Sequence, residues 1–136
     1  SGADAILLIA DALEPHRLKA LYQLADSLGL HVLMEGYSDQ GLAAIREIDP
    51  PVAGINSRDL QTMVIDLSHM LERIGLLPES ALKVAESGIE SAADLGQTAR
   101  AGFDAALIGT SLLVQPDPGA ALTNLLAELS METAGK

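Results

Sequence analysis

Cysteine and tryptophan are absent from this 136-residue chain, and aromatic residues make up only 2% of it. Without cysteine there is no disulfide framework and no thiolate chemistry. Phe103, Tyr22 and Tyr37 are the whole aromatic complement, which excludes a stacking surface for bases or sugar rings. Positive charge is scarce too: 8 lysines and arginines stand against 19 acidic residues, a net charge of −11. No basic face can form, so binding to nucleic acid or to an anionic membrane is excluded as the main activity. Apolar runs are far shorter than the roughly 20 residues that span a bilayer, and no charged start leads into a long apolar run. A cytoplasmic location is expected.

What is present is core-forming material. Hydrophobic residues make up 49% and charged residues 20%, enough for one folded domain over 1–136. Short apolar runs alternate with longer amphipathic ones. Ala5–Ile9, His31–Glu35, Val52–Asn56, Leu82–Glu86 and Ala105–Gly109 read as strands. Between them, Glu14–Leu28 carries Leu18, Leu21, Ala25 and Leu28 on one helical face, closed by Gly29. Ser38 caps a helix to Ile48, stopped by Pro50-Pro51. Asp66–Leu77 is a third helix, with Leu67, Met70, Leu71 and Ile74 aligned. Ser91 with Asp94 reads as a capping box for a helix to Ala101, closed by Gly102. Asp117 and Pro118 start a last helix with Leu122, Leu125, Leu126 and Leu129 on its buried face, and Ser130–Lys136 reads as a frayed tail.

Five βα units follow from this, in an α/β domain with a parallel sheet. Two closures fit: a partial (βα)₈ barrel or an open flavodoxin-like sheet. The polar residues narrow the choice. The second strand ends in Glu35, the third in Asn56 with Arg58 nearby, the fourth in Glu86-Ser87-Gly88 and the fifth in Gly109-Thr110-Ser111. In parallel α/β folds the active site lies at these C-terminal strand ends. Gly88 and Gly109-Thr110-Ser111 suit a phosphate held by backbone N–H groups, which needs no lysine. His16, His31 and His69 lack partners at metal spacing and read as structural or surface residues.

At this point the motifs resemble a family. Leu7-Leu8-Ile9, Leu33-Met34-Glu35, Gly54-Ile55-Asn56-Ser57-Arg58-Asp59-Leu60, Glu86-Ser87-Gly88-Ile89, Ile108-Gly109-Thr110-Ser111 and Asp117-Pro118-Gly119 occur in the order found in indole-3-glycerol phosphate synthase. The resemblance is to the C-terminal part of that enzyme, strands four to eight of its (βα)₈ barrel. It implies a carbon–carbon lyase of tryptophan biosynthesis. The reaction closes the ring of 1-(2-carboxyphenylamino)-1-deoxyribulose 5-phosphate with loss of carbon dioxide and water, and no metal or organic cofactor is implied. Matched by motif, Glu35 is the proton-transferring base, and Asn56 and Glu86 belong to the catalytic centre. Arg58 and Ser87 contact substrate, and Gly88, Gly109 and Thr110 lie at the phosphate.

The chain also departs from the family pattern. Strands one to three of the barrel have no counterpart, and with them goes a lysine that serves as general acid. Lys19, Lys83 and Lys136 are all misplaced for that role. Gly36-Tyr37-Ser38 stands where Val-His-Asp is usual, and Ser57 where Asn is common. The chain alone is therefore expected to be inactive. Its open strand edges are expected to be covered by a second copy, as a homodimer, or by an N-terminal half.

Plainer readings stand beside these. Asn56 can simply bond its own loop, Arg58 and Asp59 can form a local ion pair, and Gly88 and Gly109 can serve only as turn residues. A non-catalytic phosphate-binding or self-assembling (βα)₅ module is the rival function. Phosphoribosylanthranilate isomerase, another phosphate-binding barrel, fits the Asn56–Leu60 segment less well.

Overall fold

Alternating burial along five short strands organises the molecule. The computed structural model describes residues 2–134. Strands β1 (Ala5–Ile9), β2 (His31–Gly36), β3 (Val52–Asn56), β4 (Leu82–Glu86) and β5 (Ala105–Leu107) form one sheet in the order β1-β2-β3-β4-β5. Every pairing is parallel. The helices are α1 (Pro15–Ser27), α2 (Asp39–Ile48), α3 (Leu67–Arg73), α4 (Ala92–Ala101), α5 (Thr110–Leu113) and α6 (Pro118–Ala134).

This order decides the closure. A flavodoxin-like sheet would place β1 between β2 and β3. Here β1 lies at one end and β5 at the other. Right-handed crossovers that always step the same way put every helix on one side, which is how a barrel wall is built. The fold is a run of five βα units of a (βα)₈ barrel, and the flavodoxin-like alternative is set aside.

One side of the sheet is therefore well covered. Leu8, Val32, Met34, Ala53, Ile55 and Ala85 pack with Leu18, Ala25, Leu42, Ile45 and Met70 of the helices into one core. Strand residues of the opposite parity face away. Leu7, Leu82 and Leu107 are 47%, 45% and 51% exposed. Helices cover only the first of these faces.

Local signals hold the helix ends. Ser38 accepts from the Gly41 N–H at 3.0 Å, Asp66 from the His69 N–H at 3.2 Å, and Asp117 from the Ala120 N–H at 2.9 Å. The Ser91–Asp94 capping box is complete, and Gly102 closes α4 at φ +104°. Four details differ from the sequence reading. β5 stops at Leu107, because Gly109 turns the chain into α5. The α6 leucines are not all buried: Leu122 and Leu126 are 42% and 48% exposed. Leu28 at the end of α1 is 66% exposed. α1 and α6 flank the two ends of the sheet, where each has helix neighbours on one side only. The segment expected to fray is helical from Ser130 to Ala134, and Gly135 and Lys136 lie outside the described residues.

Candidate active site

Asn56 and Glu86 end β3 and β4, Glu35 stands one residue before the end of β2, and all three share the uncovered face. The register sets Asn56 beside Glu86 and Glu35 beside Gly54. Asn56 Nδ2 donates to Glu35 Oε1 at 3.3 Å. Its Oδ1 accepts the Arg58 N–H at 2.9 Å. Asn56 thus does both things open to it: it bonds its own loop and it joins the carboxylate of the next strand. The three side chains are 4%, 8% and 3% exposed, in chain order.

Burial of a carboxyl disfavours its charged form. Burial first, and then the neighbouring Glu35 carboxylate, push the Glu86 carboxyl up to about 9. Glu86 therefore holds a proton at neutral pH. Its Oε1 has no hydrogen-bond partner within the protein. A buried acid beside a second carboxylate is an arrangement that can move a proton.

A cavity of about 390 Å³ opens beside this row, lined by Ile9, Asp11, Tyr37, Asn56 and Leu60 as well as Glu35. Asp11, just beyond β1, was not singled out from the sequence. It accepts from Tyr37 N–H at 2.6 Å and from Ser38 N–H at 3.1 Å, and the Ser38 hydroxyl donates to it as well. Tyr37 stacks on His69 with ring centroids 4.0 Å apart, and His69 Nε2 donates to the Tyr37 carbonyl at 2.8 Å. The segment Gly36-Tyr37-Ser38 is thus gripped from β1 and from α3. A polar residue just past the first strand, as past the others, was the signal available for Asp11.

The remaining expected residues gather at a second cavity of about 320 Å³. Arg58, Ser87, Gly88, Gly109, Thr110 and Ser111 line it, together with Glu90. Ser87 and Gly88 take consecutive left-handed conformations, φ +65° and +70°. Ser111 Oγ donates to the Ile89 carbonyl at 2.9 Å, tying the loop after β5 to the loop after β4. Beneath, Ser57 is fully buried and its hydroxyl has no partner. A β-carbon on Gly88 would come within 2.7 Å of that oxygen, so glycine is required there for space as well as for conformation.

Arg58 and Asp59 do not form the ion pair open to them. Arg58 Nη1 reaches the Met63 carbonyl at 3.5 Å, and Asp59 is bonded to Gln61 and Thr62. The ion pair nearby is Arg73 with Asp39, at 2.8 Å. Lys83 is the second residue of β4, at the far end of the strand from the site, and Lys19 is exposed on α1; Lys136 lies outside the described residues. Among the described residues no three His, Asp or Glu side chains gather to hold a metal ion, and no helix is long and apolar enough to cross a membrane.

The family model for indole-3-glycerol phosphate synthase matches residues 1–125. The chain belongs to the indole-3-glycerol phosphate synthase family. It is 42% identical over 127 residues to the indole-3-glycerol phosphate synthase of Rhodopirellula baltica, covering 93% of this chain and 49% of that protein. To the synthase of Geobacillus thermodenitrificans it is 44% identical over 128 residues, with 93% and 50% covered. The chain spans about half the length of these curated relatives, in keeping with a C-terminal segment of the synthase. Among solved structures, a mandelate oxidase with an FMN adduct aligns with TM-score 0.69 at 17% identity, covering 98% of this chain and 50% of that one. That likeness concerns the fold, and it too pairs this chain with half of a larger one.

Proposed function

We propose that this chain is one wall of an indole-3-glycerol phosphate synthase, the part carrying barrel strands four to eight. In this reading it serves tryptophan biosynthesis as a carboxy-lyase segment. The observation that supports it most is the row Glu35–Asn56–Glu86 on adjacent strand ends, flanked by one cavity on each side. Glu35 is assigned the role of base. Glu86, protonated, is the proton reservoir beside it, and Asn56 sets the orientation of Glu35. The second cavity takes the substrate phosphate on backbone N–H groups near Gly88, Gly109 and Thr110, with Arg58 and Ser87 at its rim.

The reading also assigns a limit. The cavity beside Glu35 is lined by the acidic Asp11 and Asp59 and by no lysine or arginine. A substrate with a carboxylate and a phosphate meets only like charge there, and among the described residues no cationic acid completes the centre. The chain alone is therefore inactive. An N-terminal half with strands one to three supplies the missing lysine and covers the exposed face. In its absence a second copy covers that face as a homodimer.

A fluorescence assay for indole-3-glycerol phosphate tests this. The chain is mixed with the N-terminal part of the Geobacillus thermodenitrificans synthase. No turnover by the chain alone, with turnover on mixing that is lost in Glu35→Gln, is the expected result. Turnover by the chain alone near that of a full-length synthase overturns the limit. A mixed complex that forms but stays inactive favours the rival reading, a phosphate-binding module without chemistry. The open face and the intact second cavity are what support that rival.

A further inference from the structure

Asp59 stands on the partition between the two cavities. Asp59, Leu60 and Gln61 line the one beside Glu35, and Arg58 and Ile65 line the one near Gly88. We propose that Asp59 is a positioning residue for Arg58: its carboxylate builds the tight turn over 59–64 whose Met63 carbonyl aims the Arg58 guanidinium into the second cavity. This rests on the reading of that cavity as a phosphate site.

The turn has little else to hold it. Leu60, Met63, Val64 and Ile65 are 43%, 58%, 60% and 40% exposed, so no core packing fixes this segment. Asp59 Oδ1 accepts the Gln61 N–H at 2.8 Å and Oδ2 the Thr62 hydroxyl at 2.8 Å. With the side chain anchored there, the Asp59 carbonyl takes the Met63 N–H at 2.7 Å and its N–H reaches the Val64 carbonyl at 2.9 Å. Met63 is bent to φ +63°, a conformation a non-glycine residue keeps only when its neighbours impose it. That bend presents its carbonyl to Arg58 Nη1 at 3.5 Å. The Arg58 backbone is held by Asn56 Oδ1 outside the turn and by the bridge to Ile65 at the base of the turn. Only the long side chain remains to be ordered, and an arginine side chain has much rotamer freedom to lose.

Electrostatics makes the test sharp. A carboxylate beside an anion site repels the anion. Deleting Asp59 should strengthen anion binding if charge alone matters, and weaken it if Asp59 aims Arg58. Sulfate is titrated into the nitrogen-labelled full chain and followed at the Gly88, Gly109 and Thr110 amides. Amides outside 58–66 report that each variant is folded. The wild type should bind weakly, in the millimolar range. Asp59→Ala should weaken binding about threefold to tenfold, and should add nothing once Arg58→Ala is present, since coupled residues are not additive. Binding by Asp59→Ala as tight as wild type or tighter overturns the proposal, as does a full additional loss in the double variant. Absence of any wild-type shift at those amides overturns the phosphate reading instead. The Arg58 Nε–H resonance then judges Asp59 alone: collapse to the position of a free arginine in Asp59→Ala supports its role, and an unchanged resonance overturns it.

Discussion

Glu86 occupies the space that Gly54 leaves open. A β-carbon at position 54 would overlap Glu86 Oε1 and stand 3.0 Å from the carboxyl carbon. Gly54 pairs with Glu35 on one side and with Val84 on the other. A missing side chain in the middle strand thus lets a carboxyl from β4 reach across towards a carboxyl from β2. The conformation of Gly54 does not require glycine; the space does.

Gly54→Ala should therefore act through Glu86. Overpacking of a well-filled site costs about 1–3 kcal/mol. The displaced carboxyl should also titrate closer to an ordinary glutamate. Chemical denaturation and carboxyl-carbon NMR titration check the two effects. An alanine variant with wild-type stability and an unchanged Glu86 titration would show that the space is not needed.

The raised Glu86 carboxyl sets a pH dependence. Its folded value of about 9 lies above the ordinary 4.5, so the folded state binds the extra proton between those limits. That stabilisation is full below about pH 4.5 and is lost as pH rises towards 9. The loss is at most about 1.4 kcal/mol per pH unit. Glu86→Gln imitates the protonated acid at every pH. It should match the wild type near the acid limit and exceed it by roughly 2–4 kcal/mol at mildly alkaline pH. Denaturation midpoints at the two pH values decide, and parallel pH profiles would rule the protonated form out.

Asp11 should prove structural beyond its exposed position. It takes two backbone N–H groups and a hydroxyl from the loop after β2. Asp11→Ala should lose about 1–3 kcal/mol and release Tyr37 from His69. Gly41→Ala should have a similar effect, because its β-carbon would come within 2.7 Å of Asp11 Oδ1. Thermal melts and the ring-proton shifts of Tyr37 measure both variants. An intact Tyr37–His69 ring-current signature in Asp11→Ala would refute the link.

Acid should open the turn at Asp59. Hydrogen bonds from Gln61 and then Thr62 hold its carboxyl below the ordinary 3.8. The bonded form is thus fully present above about 3.8 and is lost as pH falls through the lower folded value. The Gln61 amide and the Thr62 hydroxyl should report this together in an NMR titration, while amides of α2 stay fixed. Opening above the ordinary value would contradict the bonding.

The bare face should drive association of the isolated chain. β1 and β5 each have one unpaired edge among the described residues, and unpaired edges template pairing. A few hundred Å² of apolar surface left wet costs several kcal/mol at about 25 cal/mol per Å². Light scattering at micromolar concentration should give twice the 14.1 kDa chain mass. A monomer with a sharp cooperative melt would show that the face is tolerated bare.

Most elements were legible because their signals are local. Ser38, Asp66, Ser91 and Asp117 cap helices through bonds to residues three positions on. The strand ends carrying Glu35, Asn56 and Glu86 were legible for the same reason, since each closes its own apolar run. The turn that holds Arg58 and Asp59 was not. Arg58 was read as a substrate contact, with a local ion pair to Asp59 as the plainer alternative, yet each is drawn to the turn at 59–64, which forms only once Asp59 and Val64 meet. Asp11 was missed because its partners lie 26 and 27 positions away.

By itself the amino-acid order determined five βα units, the bounds of their strands to within a residue or two, and which strand ends carry polar side chains. These follow from hydrophobic period and capping, which act over a few residues. Only the tertiary structure decided that β1 sits at the edge, that the helices share one face, and that Leu122 and Leu126 go uncovered. It alone set Glu86 against Glu35 over Gly54, and so the proton that Glu86 keeps. Those outcomes depend on which strand lies beside which, and a βα unit looks the same along the chain whether the next strand adds to its left or to its right.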